Sequence, residues 1–91
     1  MLQTISIVVK GKVQRVFFRH SARELAKKLK ISGQVRNLPD GSVHIIATGT
    51  EKQLDKLTEW CRQGPSKAVV TGIESEKLPL QEFTDFTIIK F

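Results

Sequence analysis

The hydrophobic spacing along this chain switches between a period of two and a helical period. A sequence that does so is restricted to folds in which helices pack on a sheet. Residues Leu2 to Val9 alternate, with Ile5, Ile7 and Val9 on one face, and predict a half-buried strand. From Phe18 the spacing becomes helical: Phe18, Ala22, Leu25, Ala26 and Leu29 share a face, while Arg23, Glu24, Lys27 and Lys28 take the other. This predicts a helix of about three turns ending near Lys30, with Gly33 soon after.

Leu38-Pro39-Asp40-Gly41 then supplies proline for the second position of a turn and glycine for a positive φ. The stretches Ile31–Leu38 and Ser42–Gly49 around it are expected to pair as a hairpin. Thr50 and Gln53 are spaced as a capping box, opening a second helix with Leu54, Leu57 and Cys61 inward and Gly64-Pro65 as its stop. Ala68 to Lys77 reads as a strand, and a loop with Pro79 follows. In a last strand Phe86, Ile88 and Lys90 alternate with Thr87, Ile89 and Phe91. The predicted fold class is α+β: a ferredoxin-like split βαβ arrangement, βαββαβ, with two helices on one face of an antiparallel sheet. No linker or repeat divides residues 1–91, so one domain is expected.

Composition narrows the partners. The formal net charge is +6, which favours phosphate esters, nucleic acid or acidic lipid, or else is only a solvated basic surface. Nucleic-acid binders on this architecture carry stacking aromatics on their middle strands, and neither Leu2–Val9 nor Ser42–Gly49 has one. The single cysteine, Cys61, cannot close an internal disulfide, which points to a reducing compartment and a cytoplasmic protein. With His20 and His44 as the only histidines, no dedicated transition-metal site is expected. No apolar run approaches the roughly 20 residues needed to span a bilayer, and the first residues lack the pattern of a signal peptide.

Chemistry concentrates between the first strand and the first helix, in Gly11-Lys12-Val13-Gln14-Arg15-Val16-Phe17-Phe18-Arg19. A glycine-containing turn that enters a helix N-terminus presents unpaired backbone N–H groups, and with the helix dipole these suit a phosphate. Arg19, in the first turn, can add a two-pronged guanidinium contact to the same anion. On composition alone, a plain loop with solvated cations is the favoured reading.

That stretch resembles the first signature of the acylphosphatases, Gly-x-Val-Gln-Gly-Val-x-Phe/Tyr-Arg. Gly33-Gln34-Val35-Arg36-Asn37-Leu38-Pro39-Asp40-Gly41-Ser42-Val43, with the later Gly49, resembles their second. Gly64-Pro65 and Phe86-Thr87-Ile88 also look like the family's helix stop and last strand, so the resemblance spans essentially the whole chain. Two positions depart from it. Arg15 stands where the family has glycine, which would cost on the order of 1 kcal/mol if the site requires a positive φ. It could also crowd the pocket, or add a second guanidinium to it. Gln34 replaces an aromatic and is expected to affect packing or the pocket rim.

The resemblance implies hydrolysis of the carboxyl–phosphate bond of small acyl phosphates, with inorganic phosphate as a product. It implies that Arg19 and the loop N–H groups of Val13, Gln14, Arg15, Val16, Phe17 and Phe18 hold the phosphoryl oxygens, and that Asn37 orients the attacking water. No cofactor, metal, covalent intermediate, nucleic acid or membrane partner is implied, and a monomer is expected. A catalytically weak, anion- or partner-binding relative of that family is the alternative, carried by Arg15. By residue reading alone Asn37 is a turn residue beside Pro39 and Gly41. Cys61 is expected to be a buried, unreactive helix residue, Trp60 to cap the edge of the core, and Ser21 to be an ordinary helix residue. His20 is expected at the surface and His44 without a role.

Overall fold

The computed structural model describes residues 1–90; Phe91, assigned above to the last strand, lies outside the described residues. The elements in chain order are β1 (Gln3–Lys12), α1 (Phe18–Lys28), β2 (Ser32–Asn37), β3 (Val43–Gly49), α2 (Glu51–Cys61), β4 (Val69–Leu78) and β5 (Phe86–Ile89). They form one sheet in the order β4-β1-β3-β2-β5, the ferredoxin-like 4-1-3-2 arrangement with a fifth strand added beside β2.

Register follows the hydrophobic alternation. Ile7 faces Ile45, Val9 faces Val43 and Val35 faces Ile45, so the apolar side chains of three strands share one side. Phe18, Ala22 and Ala26 of α1 and Leu54, Leu57 and Cys61 of α2 close over that side. The opposite face carries no helix and is largely polar, with Thr4, Ser6, His44, Arg36 and Gln34. Thr50 caps α2 as its spacing predicts: its hydroxyl accepts from the Gln53 N–H at 3.2 Å, and the Thr50 N–H donates to Gln53 Oε1 at 2.8 Å. Helix α1 ends at Lys28, close to the stop expected near Lys30. Lys30 takes φ 61°, and the N–H groups of Lys30 and Ile31 return to the carbonyls of Lys27 and Ala26 at 3.1 and 2.8 Å, a left-handed cap without glycine.

One feature of the expected sheet is corrected. It is not wholly antiparallel: β5 runs parallel to β2, with Gly33 opposite Phe86 and Val35 opposite Ile88. The direction follows from the path of the preceding loop. β4 ends opposite Thr4, at the end of the sheet where β2 begins. The chain then crosses that end: Gln81 donates its N–H to Thr4 Oγ1 at 2.8 Å and accepts from Thr48 Oγ1 at 2.7 Å. The Gly33 N–H donates to the Asp85 carbonyl at 2.9 Å. A strand entered from that end can only run alongside β2 in the same direction.

Candidate active site

The site is built where β1 gives way to α1. The β1–β4 pairing shifts register at Lys10 and Gly11, and Gly11 has φ 123° with β4 so close that a Cβ would collide with the Val69 carbonyl. This aims the following residues across the end of the sheet. Val13, Val16 and Phe18 bury their side chains in the core, and Trp60 packs against Phe18 with ring centroids 5.1 Å apart, closing the core edge as expected.

Between these anchors the backbone alternates in hand. Arg15 has φ 64° and Phe17 has φ 63°, while Gln14, Val16 and Phe18 are not in the positive region. Alternation of this kind turns successive N–H groups toward a common centre, the geometry of an anion cradle. None of the backbone N–H groups of residues 14–20 donates to a protein acceptor among the described residues. Phe17 is the N-cap of α1 and supplies no side-chain cap, and the first turn holds no acidic residue. The positive end of the helix dipole is therefore left to a ligand.

A cavity of about 550 Å³ opens over this loop, lined by Val13, Arg15, Phe17, Phe18, Arg19, His20, Asn37, Ile88 and Lys90. Arg19 is half-buried; its Nη1 donates to the Ile89 carbonyl at 3.4 Å, and it has no acidic partner among the described residues. Asn37, the last residue of β2, lies on the helix-bearing face with Val35, which brings it to the same cavity. Its Oδ1 is buried without a hydrogen-bond partner among the described residues. A buried carbonyl oxygen in that state is an acceptor waiting for a donor. No carboxylate among the described residues lines the cavity. Nor do the described residues hold a cluster of three or more His, Cys, Asp or Glu side chains suited to a metal.

Of the residues assigned to phosphate by the sequence, Val13, Arg15, Phe17, Phe18 and Arg19 line the cavity. Val16 is in the core, and the Gln14 side chain points elsewhere: its Nε2 donates to the carbonyls of Leu38 and Ser42 at 2.8 and 2.9 Å. Gln14 thus ties the loop to the β2–β3 turn and holds Asn37 at the cavity. Gln34 lies on the helix-free face of β2, opposite to Val35, and is not at the pocket rim. His20 is exposed, as expected, and also walls the cavity; Arg23 Nη2 donates to its Nδ1 at 3.3 Å. Ile88 and Lys90 were not assigned to the site from sequence, although their place on one face of the last strand marks them as a pair. Cys61 is buried in the core, which pushes its thiol up to about 12 and makes it the unreactive helix residue expected.

A family model described as Acylphosphatase matches residues 5–88. The chain belongs to the acylphosphatase family. An acylphosphatase of Marinobacter nauticus is 51% identical over 81 residues, covering 88% of each chain. Among solved structures, an acylphosphatase from Coxiella burnetii superposes with a TM-score of 0.94 at 38% identity, over 97% of this chain and 93% of that one. The acylphosphatase from Bacillus subtilis gives 0.92 at 36% identity, over 98% and 99%. The family's first signature is the loop that carries the cradle and Arg19, and its second carries Asn37.

Proposed function

We propose that this acylphosphatase hydrolyses the carboxyl–phosphate bond of small acyl phosphates through Arg19, the loop N–H groups and Asn37, without a metal or covalent intermediate. The N–H groups of residues 13–18 and the Arg19 guanidinium hold the phosphoryl oxygens and oppose the charge that gathers on them in the transition state. The side-chain amide of Asn37 hydrogen-bonds a water and aims its oxygen at phosphorus. As the new P–O bond forms, the bond to the acyl oxygen breaks and a carboxylate leaves. The carboxylate is stable without a proton, so no general acid is needed, and water's proton passes to a substrate oxygen. Asparagine suits the positioning role because it donates and accepts but is no base at neutral pH.

One observation supports this reading: Asn37 lines the same cavity as Arg19 and the run of N–H groups unpaired among the described residues, with no carboxylate of those residues beside them. The test is hydrolysis of benzoyl phosphate in excess EDTA, with inorganic phosphate as a competitive inhibitor. Undiminished turnover with competitive inhibition supports the proposal. Loss of turnover on chelation, restored by a divalent metal, would overturn the metal-free mechanism.

The chain is proposed to act as a single domain and a monomer, supported by its one continuous core. Gel filtration at the mass of one chain supports this, and a stable dimer contradicts it. No helix among the described residues is long and apolar enough to cross a membrane. A cytoplasmic location is proposed on the strength of the free thiol of Cys61.

A further inference from the structure

Phe17 is out of place by every structural criterion except its position at the cavity. The residue is 75% exposed, so it contributes almost nothing to the core. Its backbone sits at φ 63°, a region that phenylalanine seldom occupies. It holds the N-cap of α1, where Ser, Thr, Asp or Asn would stabilise the helix, and offers no cap. Of the exposed large apolar residues Met1, Leu2, Phe17, Val69 and Leu80, Phe17 alone lines the cavity. A strained backbone that holds an unburied aromatic ring beside a reaction site is an arrangement that ligand contact would explain.

The cavity also has the size of a site for an organic ligand. Pockets that take small organic ligands run from roughly 300 to 1,000 Å³. The cavity holds about 550 Å³. It is bounded on its apolar side by Phe17, Phe18, Val13 and Ile88.

We propose that the Phe17 ring, with Ile88, forms the acyl-binding surface of the site and makes it prefer aromatic acyl phosphates over acetyl phosphate. The inference rests on the acyl phosphate reading above and specifies its substrate class. The backbone N–H of Phe17 serves the phosphate while its ring serves the acyl group. One residue therefore sets the distance between the two halves of the substrate. A rigid ring with two rotatable bonds provides this contact at little entropic cost.

The test uses Phe17→Asn and Phe17→Leu. Asparagine tolerates the left-handed backbone and removes the apolar surface; leucine keeps apolar surface and loses the flat face. Ratios of kcat/KM for benzoyl phosphate over acetyl phosphate are compared after dividing each by its spontaneous hydrolysis rate. Any factor common to both substrates, from a change in the loop, cancels. The wild type is expected to favour benzoyl phosphate by about tenfold or more, F17N to lose about tenfold of that preference, and F17L to keep part of it. A ratio unchanged in F17N, or a wild type without preference, overturns the proposal. Dissociation constants for phenacyl and acetonyl phosphonate, in which carbon replaces the anhydride oxygen, supply a second reading independent of turnover. If no acyl phosphate is hydrolysed, the catalytic reading fails by itself. Loss of the phenacyl preference in F17N would still support the acyl surface, and equal affinities in the wild type would refute it.

Discussion

The loop of residues 13–17 lines the cavity and the turn of residues 38–42 follows directly on Asn37, which also lines it, yet the two are built in opposite ways. The turn is saturated. The Leu38 N–H donates to the Ser42 carbonyl at 2.8 Å and the Gly41 N–H to the Leu38 carbonyl at 3.1 Å. Asp40 Oδ1 accepts from the Ser42 N–H at 2.9 Å and from its hydroxyl at 2.6 Å. Gln14 adds two further donations to the same carbonyls. The loop has none of this: its N–H groups are unpaired among the described residues, and two of its non-glycine residues carry positive φ. Donors must stay unpaired to receive an anion, whereas a residue that aims a water must be held still. The difference accords with the proposed roles, binding for the loop and positioning for Asn37 beside the turn.

The sharpest way to break that assignment is through Arg19 and Asn37 together. Arg19→Ala is expected to lower kcat/KM by at least about a thousandfold and to abolish inhibition by phosphate, with the circular dichroism spectrum unchanged. Arg19→Lys should recover little, because a point charge cannot reproduce a paired contact. Asn37→Ala is expected to lower kcat by about a hundredfold while the inhibition constant of phosphate stays within a factor of two. Should phosphate binding fall in step with rate in N37A, the turn would share in binding and the contrast would be lost.

A smaller effect separates strain from charge. Arg15 and Lys30 occupy the same left-handed region, at φ 64° and 61°, but only Arg15 lines the cavity. Glycine at either position relieves the backbone and adds entropy to the unfolded chain, for a net rise in thermal midpoint of about 4 °C. Lys30→Gly should leave kinetics unchanged. Arg15→Gly should place the N–H groups more freely on the phosphate and raise kcat/KM. Weaker and less salt-sensitive phosphate inhibition in R15G would show instead that the Arg15 guanidinium serves the anion.

The smallest effect lies in the turn. The two hydrogen bonds from Ser42, the hydroxyl's first, hold the Asp40 carboxyl below its ordinary value of 3.8. Its contribution to stability is therefore complete above that value and is lost as the pH falls through the lower folded one. The Ser42 amide resonance is expected to titrate with a midpoint below 3.8, and Asp40→Asn to remove that step. A midpoint at or above the ordinary value would mean that the turn is looser than its hydrogen bonds indicate.

Much of this was legible in the residues, and what was not has a physical reason. Alternation in Ile5, Ile7 and Val9 places a strand face, and Thr50 with Gln53 places a helix start, because both signals act within a few residues. Alternation in Phe86, Ile88 and Lys90 gives a face too, but says nothing of which strand is the neighbour or of its direction. Those depend on where Gln81 is anchored, by Thr4 and Thr48, far away in sequence. In the site, the positive φ of Arg15 was suspected only because a related family carries glycine there. That of Phe17 left no trace, since the family pattern admits any residue at its position. The reach of Gln14 to the turn was hidden for the same reason as the direction of β5: a side chain's partner 24 residues away is set by topology and not by local spacing.

The strap at Gln81 bears on the order in which the molecule is assembled. The bond between Thr4 and Gln81 joins positions 77 residues apart, among the most sequence-distant contacts a chain of this size can make. Contacts of such separation restrict the chain most before they are rewarded, and they weigh heavily on the rate at which a topology is reached. The β1–β3 and β2–β3 ladders and both helices can form without it, whereas β5 cannot meet β2 until the strap has crossed the sheet. Ile88 and Lys90 arrive with β5, so one wall of the cavity is absent from any partly folded form that lacks it. Catalytic competence thus depends on the long-range pairing of β5 with β2, and activity regained during refolding is a readout of that docking.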